Sequence, residues 1–154
     1  HIMPLVWKHL PDANLYIAGA TPDPRVRKVA SEKIVISGWL DDMRDAYAQS
    51  KIFIAPMRIG TGLQNKLLEA MSMKLPCITT PLANNPLGAE DRKEILVGNN
   101  EYELADHIIT LLTDNEKADN MAQNGYDFVH RVYDWEKATK IMELGMNNEL
   151  IVNS

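Results

Sequence analysis

Five short apolar runs, each closed by a glycine or a proline, set the limits on what this chain can fold into. They are Leu15-Tyr16-Ile17-Ala18-Gly19, Ile34-Val35-Ile36-Ser37-Gly38, Ile52-Phe53-Ile54-Ala55-Pro56, Cys77-Ile78-Thr79-Thr80-Pro81 and Glu94-Ile95-Leu96-Val97-Gly98. Runs that are apolar on both faces, instead of alternating, suit strands of a parallel sheet covered on both sides. Pro56 has no N–H to give to a ladder, so it marks a strand end. Between the runs the apolar spacing changes to that of a helix. Residues 41–50 open with acids and set Met43, Ala46 and Tyr47 on one face. Residues 63–73 place Leu63, Leu67, Ala70 and Met71 at amphipathic spacing. Residues 101–112 follow Asn100 as an N-cap, with Glu103 three positions on. Residues 116–132 carry a stripe of Met121, Ala122, Phe128, Val129 and Val132, interrupted by Gly125, and Asp134 is expected to cap a last helix from Trp135. Alternating strand and helix with short links predicts a doubly wound, Rossmann-like α/β/α domain of three layers with a mainly parallel sheet.

Length and charge narrow the class further. A chain of 154 residues makes one domain around one core, and 45% hydrophobic with 24% charged residues is a globular composition. No apolar run reaches the roughly 20 residues needed to cross a bilayer, and no signal peptide opens the chain. The single Cys77 has no partner for an internal disulfide, which predicts a reducing, cytoplasmic setting. Its place in Pro76-Cys77-Ile78 predicts burial over reactivity. A net charge of -5 argues against a nucleic-acid-binding face. The basic cluster Arg25, Arg27, Lys28 and Lys33 reads as a solvated helix face more readily than as a lipid-binding patch. His1, His9, His107 and His130 have no metal-ligand spacing, and no nucleophile elbow is present. His107 and His130 are expected on solvated helix faces. The ends read differently from the middle: residues 1–3 resemble a cloning remnant, 4–146 form the domain and 147–154 a weakly patterned tail.

Open parallel sheets bind ligands beyond the carboxyl ends of their strands. The third such loop is Met57-Arg58-Ile59-Gly60-Thr61-Gly62, running into Leu63-Gln64-Asn65-Lys66-Leu67-Leu68-Glu69-Ala70-Met71. Its glycines let a ligand approach the backbone, and the helix start behind them offers unpaired N–H groups and a positive dipole end. Arg58 and Lys66 add full charges. Asn65, Lys66 and Glu69 fall on the side away from Leu63, Leu67 and Ala70 and are expected to face a cleft. The bland alternative is a tight turn at Thr61 and a solvated Lys66–Glu69 pair worth a few tenths of a kcal/mol. Residue types alone leave both readings open.

A resemblance separates them. The stretch from Gly60-Thr61-Gly62 through Leu68-Glu69-Ala70-Met71 to Leu75-Pro76-Cys77-Ile78-Thr79-Thr80 resembles the signature region of the retaining GT-B glycosyltransferases of group 1. Ser37-Gly38-Trp39-Leu40-Asp41-Asp42, Tyr47-Ala48 and Ile52-Phe53-Ile54-Ala55-Pro56 are similar to that family's preceding strand, loop and helix. Tyr133-Asp134-Trp135 resembles the Tyr-Ser-Trp that opens its closing helix, so the likeness runs over about residues 4–145.

The resemblance implies the C-terminal half of a GT-B fold, binding a nucleoside diphosphate sugar that the whole enzyme transfers with retention. Glu69 would be the second glutamate of the family's Glu-x7-Glu pair and hold the donor ribose hydroxyls. The first glutamate falls at Thr61, a departure similar to a subgroup with Gly-Thr-Gly here, and it leaves the sugar contact unassigned. The donor-binding set would be Arg58, Gly60, Thr61, Gly62, Leu63, Gln64, Asn65, Lys66 and Glu69. Gly38, Trp39 and Leu40 would form the nucleobase pocket, with Trp39 either packing or stacking. The family's usual diphosphate-binding arginine and lysine lie in a first strand–loop–helix unit, and this chain starts in that unit's helix. The fragment is therefore expected to hold no catalytic residue and to be inactive alone. The expected partners are a nucleotide-sugar donor, an N-terminal Rossmann domain of the same parent and, for lipid-linked acceptors, the inner face of a membrane. No nucleic acid, metal ion or other cofactor is expected. The rival readings are a non-catalytic interaction domain that kept the fold, which Thr61 favours, and half of a sugar-nucleotide epimerase, which would need an acid/base set not seen here.

Overall fold

A computed structural model of the chain describes residues 1–60 and 62–133. Each of the five apolar runs supplies a strand: β1 (Leu15–Ala18), β2 (Ile34–Gly38), β3 (Phe53–Ala55), β4 (Cys77–Thr79) and β5 (Leu96–Val97). Every strand pair is parallel, as runs apolar on both faces require. The ladder is divided among the described residues, with β1 beside β2 in one sheet and the order β3-β4-β5 in another. Strand β1 pairs with β2 and β3 with β4, and no strand pairing joins the two sheets among the described residues.

Among the described residues seven helices accompany the strands: α1 (Ile2–Trp7), α2 (Pro24–Arg27), α3 (Met43–Ala48), α4 (Asn65–Ser72), α5 (Pro81–Leu87), α6 (Glu101–Thr113) and α7 (Asn115–Val132). The apolar stripes of α3, α4, α6 and α7 lie where the sequence pattern sets them, except that Leu63 precedes α4 and Val132, at the end of α7, is exposed. Helix α6 is capped as expected, Asn100 Oδ1 accepting from the N–H groups of Tyr102 and Glu103 at 3.0 Å. The Glu103 carboxylate reaches back one residue further than a standard capping box, to the Asn99 N–H at 2.9 Å. Two short helices escape the periodicity argument. Helices α2 and α5 each start at a proline, a residue pre-set for the first helical turn, and are too short to show a stripe. Residues 2 and 3 belong to α1 and pack against the core.

The three layers show in the β3-β4-β5 sheet, whose neighbouring residues point to opposite cores. Ala55, Cys77 and Ile95 pack with Tyr47, Leu67, Leu68, Met71 and Phe128 on one side. Ile54, Ile78 and Leu96 pack with Val6, Leu104, Ile108 and Leu111 on the other. Cys77 is buried, and burial pushes its thiol pKa well up, which keeps it unreactive. Gly125 explains the break in the α7 stripe. A Cβ there would stand 3.0 Å from the Glu94 carbonyl oxygen and 3.3 Å from Met71 Cε, so only glycine lets α7 lie this close to the sheet. The helix expected from Trp135, its Asp134 cap, the 147–154 tail and Thr61 lie outside the described residues.

Candidate functional site

The loop after β3 is pinned at its start and open at its tip. Thr79 Oγ1 donates to the Ala55 carbonyl at 2.8 Å, and Thr80 Oγ1 donates to the Met57 carbonyl at 2.7 Å. The end of β4 thus holds the first residues of the glycine loop. Beyond them Gly60 has φ 140° and Gly62 φ 82°, both in the region that strains a side chain. Because Gly62 turns the chain this way and Gln64 stays extended, α4 starts at Asn65, two residues later than the apolar pattern suggests.

The start of α4 differs from most others in the chain. Asp23, Asp42, Asn100 and Asp114 cap α2, α3, α6 and α7 with their side chains. Gln64, at the same position of α4, makes no such bond and donates instead to the Gly62 carbonyl at 3.3 Å. The first N–H groups of α4 are left for an external acceptor, with the positive end of the helix behind them. Lys66 lies in that first turn, half-buried, and Arg58 is exposed on the loop. Among the described residues neither makes an ion pair, so the solvated Lys66–Glu69 bridge is not formed.

Glu69 departs from the expectation of a side chain free in a cleft. It is only 7% exposed, and the hydroxyl of Tyr47 donates to its Oε2 at 2.8 Å. The cause is that α4 is enclosed all round its middle turn, where Leu67, Leu68, Ala70 and Met71 are buried as well. Burial raises the Glu69 pKa, partly offset by the Tyr47 hydrogen bond and the nearby Lys66 charge. Its Oε1 has no hydrogen-bond partner among the described residues. Oε1 is not among the fully buried, unpaired side-chain atoms of the described residues. The carboxylate therefore has one oxygen held and one open. Tyr47 is fixed in turn by the ring of Phe53, edge-on at 5.7 Å and 72°.

Gly38 ends β2 at φ 70°, and the loop behind it carries Trp39, 67% exposed, with Leu40 half-buried. The Trp39 ring is thus uncovered among the described residues, and its Nε1 donates to Asp41 Oδ1 at 3.3 Å. The basic cluster is exposed as expected, with Arg25 paired to Asp23. His107 is half-buried and lies 3.1 Å from the Val97 carbonyl, so it belongs to the packing of α6 on β5 and not to a solvated face. No group of three or more His, Cys, Asp or Glu side chains among the described residues is placed to hold a metal ion. Pattern reading assigned Tyr47 to the core stripe of α3 and gave Thr80 no role. The available signal for Tyr47 was that a tyrosine on a buried stripe must find an acceptor for its hydroxyl.

With this geometry in view, comparison with known proteins is decisive at the level of the family. The family model described as "Glycosyl transferases group 1" matches residues 1–114. The chain belongs to this family. A 44.6 kDa protein from the cps region of Klebsiella pneumoniae is 26% identical over 145 residues, covering 88% of this chain and 37% of the relative. The chain thus spans well under half the length of that curated relative. The C-terminal domain of the group 1 glycosyl transferase LpcC from Francisella tularensis superposes with a TM-score of 0.73 at 25% identity, covering 84% of this chain and 74% of that one. TarM from S. aureus, determined with UDP among its ligands, gives a TM-score of 0.77 at 19% identity, over 96% of this chain and 31% of its own. HepE from Anabaena, in complex with UDP and glucose, gives 0.76 at 13% identity, over 96% and 44%. These last two bear on the fold alone. With the LpcC domain they give the chain a GT-B, Rossmann-like α/β fold, and none of its described helices is long and apolar enough to cross a membrane.

Proposed function

We propose that this chain is the donor-binding half of a retaining glycosyltransferase, holding a nucleoside diphosphate sugar in the loops after β2 and β3. The observation that carries the reading is the uncapped start of α4 behind Gly60 and Gly62. Backbone N–H groups and a positive dipole end suit the diphosphate, with Lys66 in the first turn and Arg58 on the loop adding charge. In the transfer step these same groups stabilise the leaving diphosphate as negative charge builds on it. With this cationic set the donor needs no metal ion. One open oxygen on Glu69 accepts hydrogen bonds from the ribose hydroxyls. The exposed Trp39 ring beside Gly38 offers a face for the base.

The acceptor site and an N-terminal Rossmann domain come from the rest of the parent, so the 154-residue chain alone binds donor without transferring it. The cps-region relative supports a role in polysaccharide biosynthesis, which we place at the cytoplasmic face of a membrane.

The test is calorimetric titration of UDP, GDP and ADP into the chain, wild type beside Glu69→Ala. Selective binding of one nucleotide, lost in the variant, is the expected result and names the donor class. Binding that ignores Glu69 would overturn the site and favour the interaction-domain reading.

A further inference from the structure

The hydrogen bond between Tyr47 and Glu69 joins two units that the sequence keeps apart. Tyr47 lies in the last turn of α3, the helix that follows the loop with Gly38, Trp39 and Leu40. Glu69 lies on α4, behind the glycine loop. Their side chains meet at 2.8 Å across 22 residues of sequence, both nearly buried. Among the described residues this is the one hydrogen bond the Glu69 carboxylate makes.

A glutamate side chain has three rotatable bonds, and a carboxylate with no fixed partner turns to whichever donor is nearest. Lys66, whose positive charge already bears on Glu69, is such a donor. The Tyr47 ring is not free to follow, because Phe53 packs edge-on against it. The hydroxyl therefore sits at a fixed point and fixes Oε2 with it.

We propose that Tyr47 is a positioning residue for the donor: its hydroxyl holds Oε2 of Glu69 so that Oε1 faces the ribose hydroxyls. The proposal rests on Glu69 being the ribose contact, as argued above. It adds that the base loop and the ribose contact are coupled through α3, so the pocket is set before the nucleotide arrives.

The experiment uses UDP, GDP and ADP with their 2′,3′-dideoxy counterparts, titrated into wild type and Tyr47→Phe. For the nucleotide that binds, Tyr47→Phe should lower affinity about tenfold, the scale of one hydrogen bond to a charged group. Affinity for the dideoxy form, which has no diol to meet, should stay unchanged and also reports that the variant is folded. An equal loss for both forms would reduce Tyr47 to a packing residue, and full affinity in Tyr47→Phe would remove it from the site.

Glu69→Gln gives an arm of opposite sign. Tyr47 should pin the amide oxygen and turn the NH2 group toward the diol, weakening binding. Tyr47→Phe added to Glu69→Gln frees the amide to flip, so affinity should rise where a packing role would make it fall again. Wild type that binds the normal and dideoxy forms alike, or binds none of the three nucleotides, would overturn the ribose contact itself and this proposal with it.

Discussion

The two sheets are written in the same sequence style and end up in different surroundings. Strands β1 and β2 are as apolar as β3, β4 and β5, yet none of residues 8–45 is buried. Tyr16 and Val35, which face each other across the β1–β2 pair, remain 38% and 47% exposed. In the other sheet Cys77 and Ile78 are sealed, one under α4 and α7 and the other under α1 and α6. The difference teaches that an apolar run specifies a strand, while the helices that reach it decide whether the strand joins a core. Helix α2 has four residues and buries none of them, whereas α6 and α7 have thirteen and eighteen.

The largest test of this contrast is a pair of truncations. Leu67→Ala empties a fully buried position shared by α4 and its core and should cost about 2–5 kcal/mol. Ile17→Ala, on a half-covered strand, should cost less than half of that, because much of its surface stays in water and its cavity can fill. Urea unfolding followed by circular dichroism checks both, and equal losses would break the comparison.

A second test overfills the compact half. Gly125→Ala places a methyl 3.0 Å from the Glu94 carbonyl and should cost about 1–3 kcal/mol, against the small gain alanine brings to an open helix position. A rise in melting temperature would mean that α7 can move off the sheet freely.

The smallest effect concerns pH, and its sign differs between the halves. In the compact half, burial raises the Glu69 pKa, so the folded chain holds that proton where the unfolded chain has lost it. Its contribution therefore favours folding at acidic pH and declines as pH rises from the ordinary carboxylate range through the raised folded value. In the thin half, the Arg44 side chain hydrogen-bonds to half-buried Asp42 and lowers its pKa. That contribution is present above the ordinary carboxylate range and fades as pH falls through the lowered value. Melting temperature against pH should lose its decline across the first window in Glu69→Gln, and its weakening in acid should diminish in Asp42→Asn. Retention of the decline in Glu69→Gln would sever it from the buried carboxylate.

The loop and helix start of the candidate site were legible in the sequence. Gly60, Gly62, Asn65 and Lys66 form an open loop and helix start because strand, glycine and amphipathic stripe follow each other directly in the chain. Glu69 was legible as a residue but not in its setting. A helical wheel puts it opposite Leu63 and Leu67, and only the packing of α3 encloses that side as well. The same holds for Trp39, whose exposure depends on what covers the end of β2, and for His107, drawn to a carbonyl on β5.

The sequence by itself determined the parallel strands, the longer helices, the cap at Asn100 and the glycine loop after β3. Each of these depends on residues within a few positions of one another, where propensity and spacing act directly. The tertiary structure alone decided that the strands divide into two sheets and that Gly125 marks a helix–sheet contact. It also paired Tyr47 with Glu69, so that one carboxylate oxygen is held and the other open. Those features join residues far apart in the chain, and the burial that selects them exists only once the helices have closed over the sheet.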